Sequence, residues 1–442
     1  MSRYDSQDII FALATPWGQS GLALIRISGA GCRQALAPFF SRPAALEEAA
    51  NATLVHGYLH DEEKRRIDEV VLAINSEGHG YTAEEAIEIS CHGSVAVIQA
   101  TLALLGRIGM RSAEAGEFTF RAFIHGRMDL TQAEAVEELV GSVSQRSRSL
   151  SLSRLEGRLR ERIDELKDRL LTLLAGVEVQ LDYSEDEVDE YRFPEETLSA
   201  LITSIASLAD SYQIGRLYKQ GAKVVLAGAT NVGKSSLFNL LLKEERSIVS
   251  PYRGTTRDYI EADLEVGGIP IRLYDTAGLR ESEDLVEREG IVRTERLIGE
   301  ADLVIHLVDS TDLGHIPVED ERTIVVYNKS DLVRVGMDKL AISAQSGEGV
   351  ARLLSVVEER LKRSLPAGGD EELVIAGERQ WQLLEGAKSA LLRARELVQG
   401  ADVLDVVAVE LAQALGNLGE LTGAVRSDDI LERIFSGFCV GK

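Results

Sequence analysis

The stretch Lys223–Ser236, KVVLAGATNVGKSS, constrains this chain more than any other. It runs from a β-branched, apolar segment through a glycine-bounded loop straight into the amphipathic run SLFNLLL. A strand feeding a helix through so short a turn calls for crossover connections, and crossovers place helices on the faces of a parallel sheet. The region that follows meets that demand. Apolar strand-like runs IPIRLYD, LVIHLVD, TIVVYN and LAIS alternate with helical runs, ending in GVARLLSVVEERLKRSL. The spacing predicts a doubly wound α/β domain over residues 219–366.

The loop Gly228–Ser235 has phosphate-loop spacing in the strand-to-helix context that such a loop requires. Backbone N–H groups from Asn231, Val232, Gly233, Lys234, Ser235 and Ser236 turn toward phosphates at a helix N-terminus, Lys234 adds a point charge, and Ser235 offers a hydroxyl to Mg²⁺. Downstream, DTAG (Asp275, Thr276, Ala277, Gly278) follows a strand, so Asp275 reaches Mg²⁺ through water and the Gly278 amide meets the γ-phosphate. Between them, GTTRD supplies Thr256, whose hydroxyl completes the metal shell. The base is read by NKSD. One carboxylate, Asp331, accepts both the ring N–H and the exocyclic amine of guanine, a donor pair that adenine lacks. Asn328 braces that loop, Lys329 covers the base, and Ser343 and Ala344 give a backbone donor to the guanine carbonyl, so the expected nucleotide is GTP. Leu279 stands where a Ras-like switch carries a water-orienting glutamine, which leaves Glu281, Glu283, Asp284 and Glu287 as open candidates for that work.

Around this unit the hydrophobic period changes. Residues 1–127 mix strand-like runs (GLALIRISG, DEVVLAI, AIEISCHGS) with one helical run, SVAVIQATLALLGRIG, and predict an α+β domain. Three- and four-residue spacing from Leu152 through Leu159, Leu166 and Leu173 to Leu181 predicts one long amphipathic helix. The same period returns from Trp381 to Leu397 and from Leu404 to Leu421. The expected organisation is an all-α domain built from 128–218 and 367–442, with the α/β unit inserted between its halves. A multi-domain reading also suits 442 residues, which exceed one ordinary core.

A formal net charge of −24 counts against bulk attraction to nucleic acid, so any RNA contact must be local. Arg146–Arg169 is rich in arginine, but Glu156, Glu161, Asp164, Glu165 and Asp168 interleave, and both a solvated helix face and an RNA contact fit. The three cysteines, Cys32, Cys91 and Cys439, suit a reducing cytosol, and neither a secretory leader nor a membrane-spanning run is expected. Cys439 lies in the tail IFSGFCVGK, where Ile434, Phe435 and Phe438 can dock the terminus; the thiol then either reacts or only packs.

With NVGKSS, GTTRD, an apolar residue after DTAG, an enclosing helical domain and a terminal FCVGK, the chain resembles the tRNA-modification GTPase family MnmE (TrmE) over its full length. Val440 replaces the family's usual isoleucine, a one-methylene change. The resemblance implies a homodimer that hydrolyses GTP when two G domains associate around nucleotide and a K⁺ ion standing where an arginine finger would. It implies a nucleotide-lining loop of Ser250, Pro251, Tyr252, Arg253, Gly254, Thr255 and Thr256, with Asn231, Ser250, Tyr252 and Thr255 as K⁺ ligands. Ser250 replaces a threonine of some members and keeps the hydroxyl. Glu287 is the matching catalytic glutamate. The N-terminal domain is similar to folate-binding aminomethyltransferase domains and is expected to hold 5-formyl-tetrahydrofolate or a related folate. The matching residues are Arg26, Glu88, Arg127 (lysine in some members) and, beside Cys439, Lys442; on chemistry alone the first three would read as surface charges and a strand-edge carboxylate. The implied partners are tRNA and the FAD-containing MnmG protein in a cytoplasmic heterotetramer. The implied product carries an aminomethyl-type group at C5 of the wobble uridine. A GTP switch in ribosome assembly is the rival, but such proteins usually carry a basic RNA-binding module, and this chain is acidic.

Overall fold

The computed structural model describes residues 8–182, 193–244, 260–276, 296–312, 316–336, 338–363, 373–400, 404–424, 431, 434–438 and 440–441. The chain forms two compact units, one from residues up to 137 with 155–164 and 418 onward, the other from 138–154 and 165–417.

In the first unit a six-stranded sheet runs in the order β3-β4-β5-β2-β1-β6, with β1 Ile10–Leu13, β2 Leu22–Ser28, β3 Thr53–His60, β4 Arg66–Asn75, β5 Ala86–His92 and β6 Arg111–Ser112. Every pair is antiparallel except β1 with β6. The two-residue period puts Ala23, Ile25 and Ile27 of β2, Val70, Leu72 and Ile74 of β4, and Ile87, Ile89 and Cys91 of β5 on one buried face. Ile98, Leu104 and Leu105 of the helix Val95–Arg107 close over it. The other phase brings Ala12, Arg26, Glu88 and Ala73 into one cross-strand row. A separate cluster joins Phe120 and Phe123 of the helix Glu117–Ile124 to the C-terminal Phe435 and Phe438. Gly116 is left-handed at φ 72°, and a Cβ there would stand 2.3 Å from the Phe435 carbonyl oxygen, so glycine is what lets the tail lie so close.

In the second unit five strands run in the order β11-β10-β7-β9-β8, with β7 Ala222–Gly228, β8 Ile260–Val266, β9 Ile269–Asp275, β10 Leu303–Asp309 and β11 Thr323–Asn328. Four are mutually parallel, and β8 joins antiparallel to β9. The inner strands are apolar almost throughout because both faces are covered. Leu237, Phe238 and Leu241 of the helix Lys234–Glu244, with Val350, Leu353, Val357 and Leu361 of the helix Val350–Arg363, cover one face; Leu297, Ile298 and Ala301 cover the other.

Two expectations are corrected, and one strand is added. LAIS makes only a single bridge, Ala341 to Tyr327, because Ser343 at once enters a turn in which its N–H goes to Glu348 and its C=O to Gly347. The run from Leu152 to Leu181 is two helices, Gln145–Leu155 and Arg158–Asp182, broken at Gly157, whose φ of 92° no right-handed helix accommodates. The edge strand β8 was not foreseen, although Ala262, Leu264 and Val266 alternate with charged residues there.

The segments flanking the sheet are packed together. The helix Glu195–Asp210 lies against Glu378–Gly400, Tyr212 stacks on Trp381 with ring centroids 5.4 Å apart, and the Ile375 N–H donates to Ser211 Oγ at 3.2 Å. Gly215, in the helix Tyr212–Gln220, is the tightest point: an added Cβ would stand 1.9 Å from the Ile375 carbonyl oxygen. Backbone cannot swing aside as a side-chain tip can, so Gly215→Ala should destabilise the chain by about 1–3 kcal/mol. Scanning calorimetry should show a transition lowered by several degrees, and an unchanged transition would contradict this packing.

Candidate functional site

The phosphate loop starts where β7 ends. Gly228 has φ 135°, and a Cβ there would stand 2.4 Å from the Leu307 carbonyl oxygen of the neighbouring β10. Gly233, at φ 102°, leaves room for the Asn328 amide, which a Cβ would meet at 2.2 Å. Asn231, between them, is exposed and left-handed at φ 60°, a conformation asparagine tolerates better than most residues. Lys234 curls back over the loop it follows, donating from Nζ to the carbonyl oxygens of Gly228 (3.1 Å) and Ala229 (2.8 Å). Its ammonium is thus held at the centre of the turn that the backbone amides face.

β9 brings the metal-directed carboxylate to the same place. Ser235 Oγ donates to Asp275 Oδ2 at 2.8 Å, and Asp275 is buried. Thr276 Oγ1 donates to the Leu226 carbonyl oxygen at 2.8 Å, tying the start of DTAG to β7. A hydroxyl and a carboxylate side by side beneath a phosphate loop are the hard-oxygen set that Mg²⁺ takes, with its remaining positions left to phosphates and water. When bound, the ion neutralises charge on the β- and γ-phosphates.

The loops that carry NKSD and Ser343–Ala344, distant in sequence, are pinned together. Asn328 is 2 % exposed; its Nδ2 donates to the Val232 carbonyl oxygen at 2.7 Å and its Oδ1 accepts the Ala344 N–H at 2.9 Å. Ser330 N–H donates to the Ile342 carbonyl oxygen (3.1 Å) and Ile342 N–H to that of Tyr327 (2.8 Å). One side chain therefore braces the phosphate loop, the NKSD turn and the Ser343–Ala344 turn at once. Asp331 is exposed beside them, with its carboxylate available to a base. Lys329 reaches back to Asp309, a contact that sequence reasoning missed. The signal was slight: an aspartate at the C-terminal end of LVIHLVD.

In the first unit Arg26 and Glu88 face each other across β2 and β5, with Arg26 Nε on Glu88 Oε1 at 2.9 Å and Nη2 on the same oxygen at 2.8 Å. Arg26 Nη1 donates to the Gly441 carbonyl oxygen at 3.3 Å, and Val440 makes a bridge with Ala115, so the tail reaches this pair. The guanidinium lies 4.7 Å from the Tyr81 ring centroid and 5.7 Å from that of Phe118. Burial pushes the Tyr81 hydroxyl's pKa up, and that hydroxyl hydrogen-bonds Thr119 Oγ1 at 2.8 Å. Arg127 is exposed and donates from Nε to the Gly80 carbonyl oxygen at 3.2 Å, next to Tyr81. Below, the fully buried Arg121 binds Asp8, Glu84 and Glu117, fixing the end of the loop that carries Tyr81. The pair thus sets a mostly buried guanidinium, stacked near two aromatic rings, beside a more exposed carboxylate, 28 % of whose side chain is open to solvent.

Ser250, Pro251, Tyr252, Arg253, Gly254, Thr255, Thr256, Ala277, Gly278, Glu281, Glu283, Asp284, Glu287, Cys439 and Lys442 lie outside the described residues. The arginine-rich stretch gains no support as an RNA surface at its centre. Arg154 is buried and paired with Glu138 at 2.5 Å, and Lys219 takes the other oxygen of the same carboxylate at 3.2 Å. Ser147, Leu150 and Ser151 are buried with it.

Residues 9–127 match the model for the GTP-binding protein TrmE N-terminus, and residues 130–439 match the model for the MnmE helical domain. The chain belongs to the tRNA modification GTPase MnmE family. The MnmE of Treponema denticola is 38% identical over 470 residues, covering 100% of both chains. That of Borrelia recurrentis is 38% identical over 465 residues, again covering 100% of both, and that of Natranaerobius thermophilus is 37% identical over 462 residues, covering 99% of this chain and 100% of its own. The chain is thus a GTP hydrolase that binds GTP and Mg²⁺, with an α+β N-terminal TrmE domain, an MnmE helical domain and a P-loop sheet. Among the described residues no helix is long and apolar enough to cross a membrane.

Within this MnmE-type phosphate site, Asn328→Ala leaves a buried carbonyl oxygen and a buried N–H without partners, at about 1–3 kcal/mol each. GTP affinity should fall at least tenfold by calorimetric titration. Parental affinity in the variant would show that the brace is dispensable.

Proposed function

We propose that this chain is a K⁺-dependent GTPase that works as a homodimer in the cytoplasm with the FAD-containing MnmG protein and tRNA. The pair adds an aminomethyl or carboxymethylaminomethyl group at C5 of the wobble uridine of certain tRNAs, with a folate such as 5-formyl-tetrahydrofolate as one-carbon source. The observation that carries this reading is the coexistence, in one chain that matches its MnmE relatives along its whole length, of a phosphate loop braced by Asn328 and a separate arginine–carboxylate pair whose arginine lies near aromatic rings. A switch alone needs only the first. The proposed divisions are 1–127 for the folate-binding and dimerisation domain, 128–218 with 367–442 for the helical domain, and 219–366 for the inserted G domain.

In the G domain, Ser235 and Thr256 hold Mg²⁺, with Asp275 acting through water. Asn231 offers its side-chain oxygen to K⁺ together with Ser250, Tyr252 and Thr255; its exposure in the phosphate loop supports this role. Glu287 orients the attacking water in place of the glutamine that Leu279 cannot supply. In the N-terminal domain, Arg26, Glu88, Arg127 and Lys442 hold the folate. Cys439 acts there as a nucleophile or acid/base group, a role supported by the bond from Arg26 to the Gly441 carbonyl two residues on. The ribosome-assembly reading is not favoured, because an acidic chain with a family match along its whole length offers no basic RNA-binding module.

Mass analysis of tRNA nucleosides from a deletion strain tests the reading. C5-modified wobble uridines should disappear, and return with the parental gene but not with Cys439→Ser, whose purified protein should still hydrolyse GTP faster in K⁺ than in Na⁺ by on the order of 10³. Unaltered nucleosides with accumulating ribosomal precursors would replace this function with the rival.

A further inference from the structure

β10 and β11 run parallel with Asp309 directly opposite Asn328, and the Ser310 N–H donates to the Asn328 carbonyl oxygen at 3.0 Å. The end of β10 is therefore fastened to the start of the base-reading turn. The next residue, Lys329, is left-handed at φ 64°, an uncommon state for a residue with a side chain, and in that state its Nζ meets Asp309 Oδ2 at 2.5 Å. The carboxylate is held from its other side too: Oδ1 accepts Thr311 Oγ1 at 2.6 Å and the Thr311 N–H at 2.9 Å. The Lys329 ammonium, followed by Thr311, holds the Asp309 carboxyl at about 2, so it stays charged at any ordinary assay pH.

These bonds hold the lysine side chain at both ends, at its backbone and at its ammonium, with its four methylenes between them. An unanchored lysine carries about as much rotamer freedom as any side chain, and a base that has to freeze it binds less tightly. Here the freezing precedes the ligand. We propose that Asp309 is a positioning residue for the guanine base, acting through Lys329: it holds the aliphatic stem as a preformed cover for the ring face. Asp331 reads the edge of the base and Asp309 sets its lid, so the two make different demands on the ligand.

Dissociation of a fluorescent GDP analogue, with Kd values for GTP and inosine triphosphate at fixed Mg²⁺, separates them. Asp309→Ala should raise the Kd for GTP about tenfold, mostly through faster dissociation, and by the same factor for inosine triphosphate, which keeps the ring face but lacks the exocyclic amine. Lys329→Ala should show a similar loss, and the double variant should be no weaker than the weaker single, because both remove one device. Asp309→Asn keeps an oxygen for Thr311 without the charge and should lose several-fold. Parental dissociation from Asp309→Ala, a loss confined to GTP, or single losses that multiply in the double variant would each overturn the proposal. If Asp309→Ala does not fold, Asp309→Asn decides, and a parental rate there overturns it. Failure of the guanine assignment would look different: the parent itself would bind ATP as tightly as GTP.

Discussion

The second unit depends on one buried amide. Asn328 donates to the Val232 carbonyl of the phosphate loop and accepts from the Ala344 N–H of a turn on the far side of the base-reading segment. Buried polar groups of this kind are costly unless every partner is in place, so the amide makes the phosphate loop, the NKSD turn and the Ser343–Ala344 turn parts of one rigid object. The absence of a Cβ at Gly233 is what admits it. From this follow the positions of Lys234 at the centre of the loop and of Ser235 on Asp275, because both hang on the same turn.

The first unit is organised around a charge set into a sheet. Arg26 emerges on the polar phase of β2, where Glu88 of β5 answers it across the ladder and Tyr81 and Phe118 shield it on either side. That shielding is built from below. Arg121, with no exposed surface, gathers Asp8, Glu84 and Glu117, and so fixes the strand start, the loop end and the helix that surround the pair. Arg111 binds Asp8 and Glu117 alongside it, so the two fully buried charges, Arg121 and Glu117, each have partners of opposite sign; removing one partner would leave the other uncompensated.

Much of this was legible in the sequence, and the unread parts share a cause. The phosphate loop, DTAG and NKSD are local patterns whose spacing encodes backbone geometry, and the structure brings Lys234 onto the loop carbonyls, Ser235 onto Asp275 and Asn328 onto Val232. The period-2 alternation of β2 and β5 was likewise visible, but it could not say that Arg26 and Glu88 share a row, since register is settled by pairing partners. Lys329 and Asp309 meet through adjacent parallel strands, and Arg154 is buried by Glu138; neither pairing leaves a mark in a linear window. The broken helix at Gly157 is the reverse case. An apolar period continued across a residue whose backbone had turned left-handed, and the period alone concealed the break.

On this reading one rigid site grips a guanine nucleotide at both its phosphate and its base end. Calorimetric titration of the full chain with GTP and with ATP, each in Mg²⁺, tests it most directly. Tight, stoichiometric heat with GTP and none with ATP at the same concentration is the result the account predicts, because adenine offers Asp331 no paired donors. Comparable binding of both nucleotides would contradict it, leaving a phosphate loop whose neighbouring turns read no base.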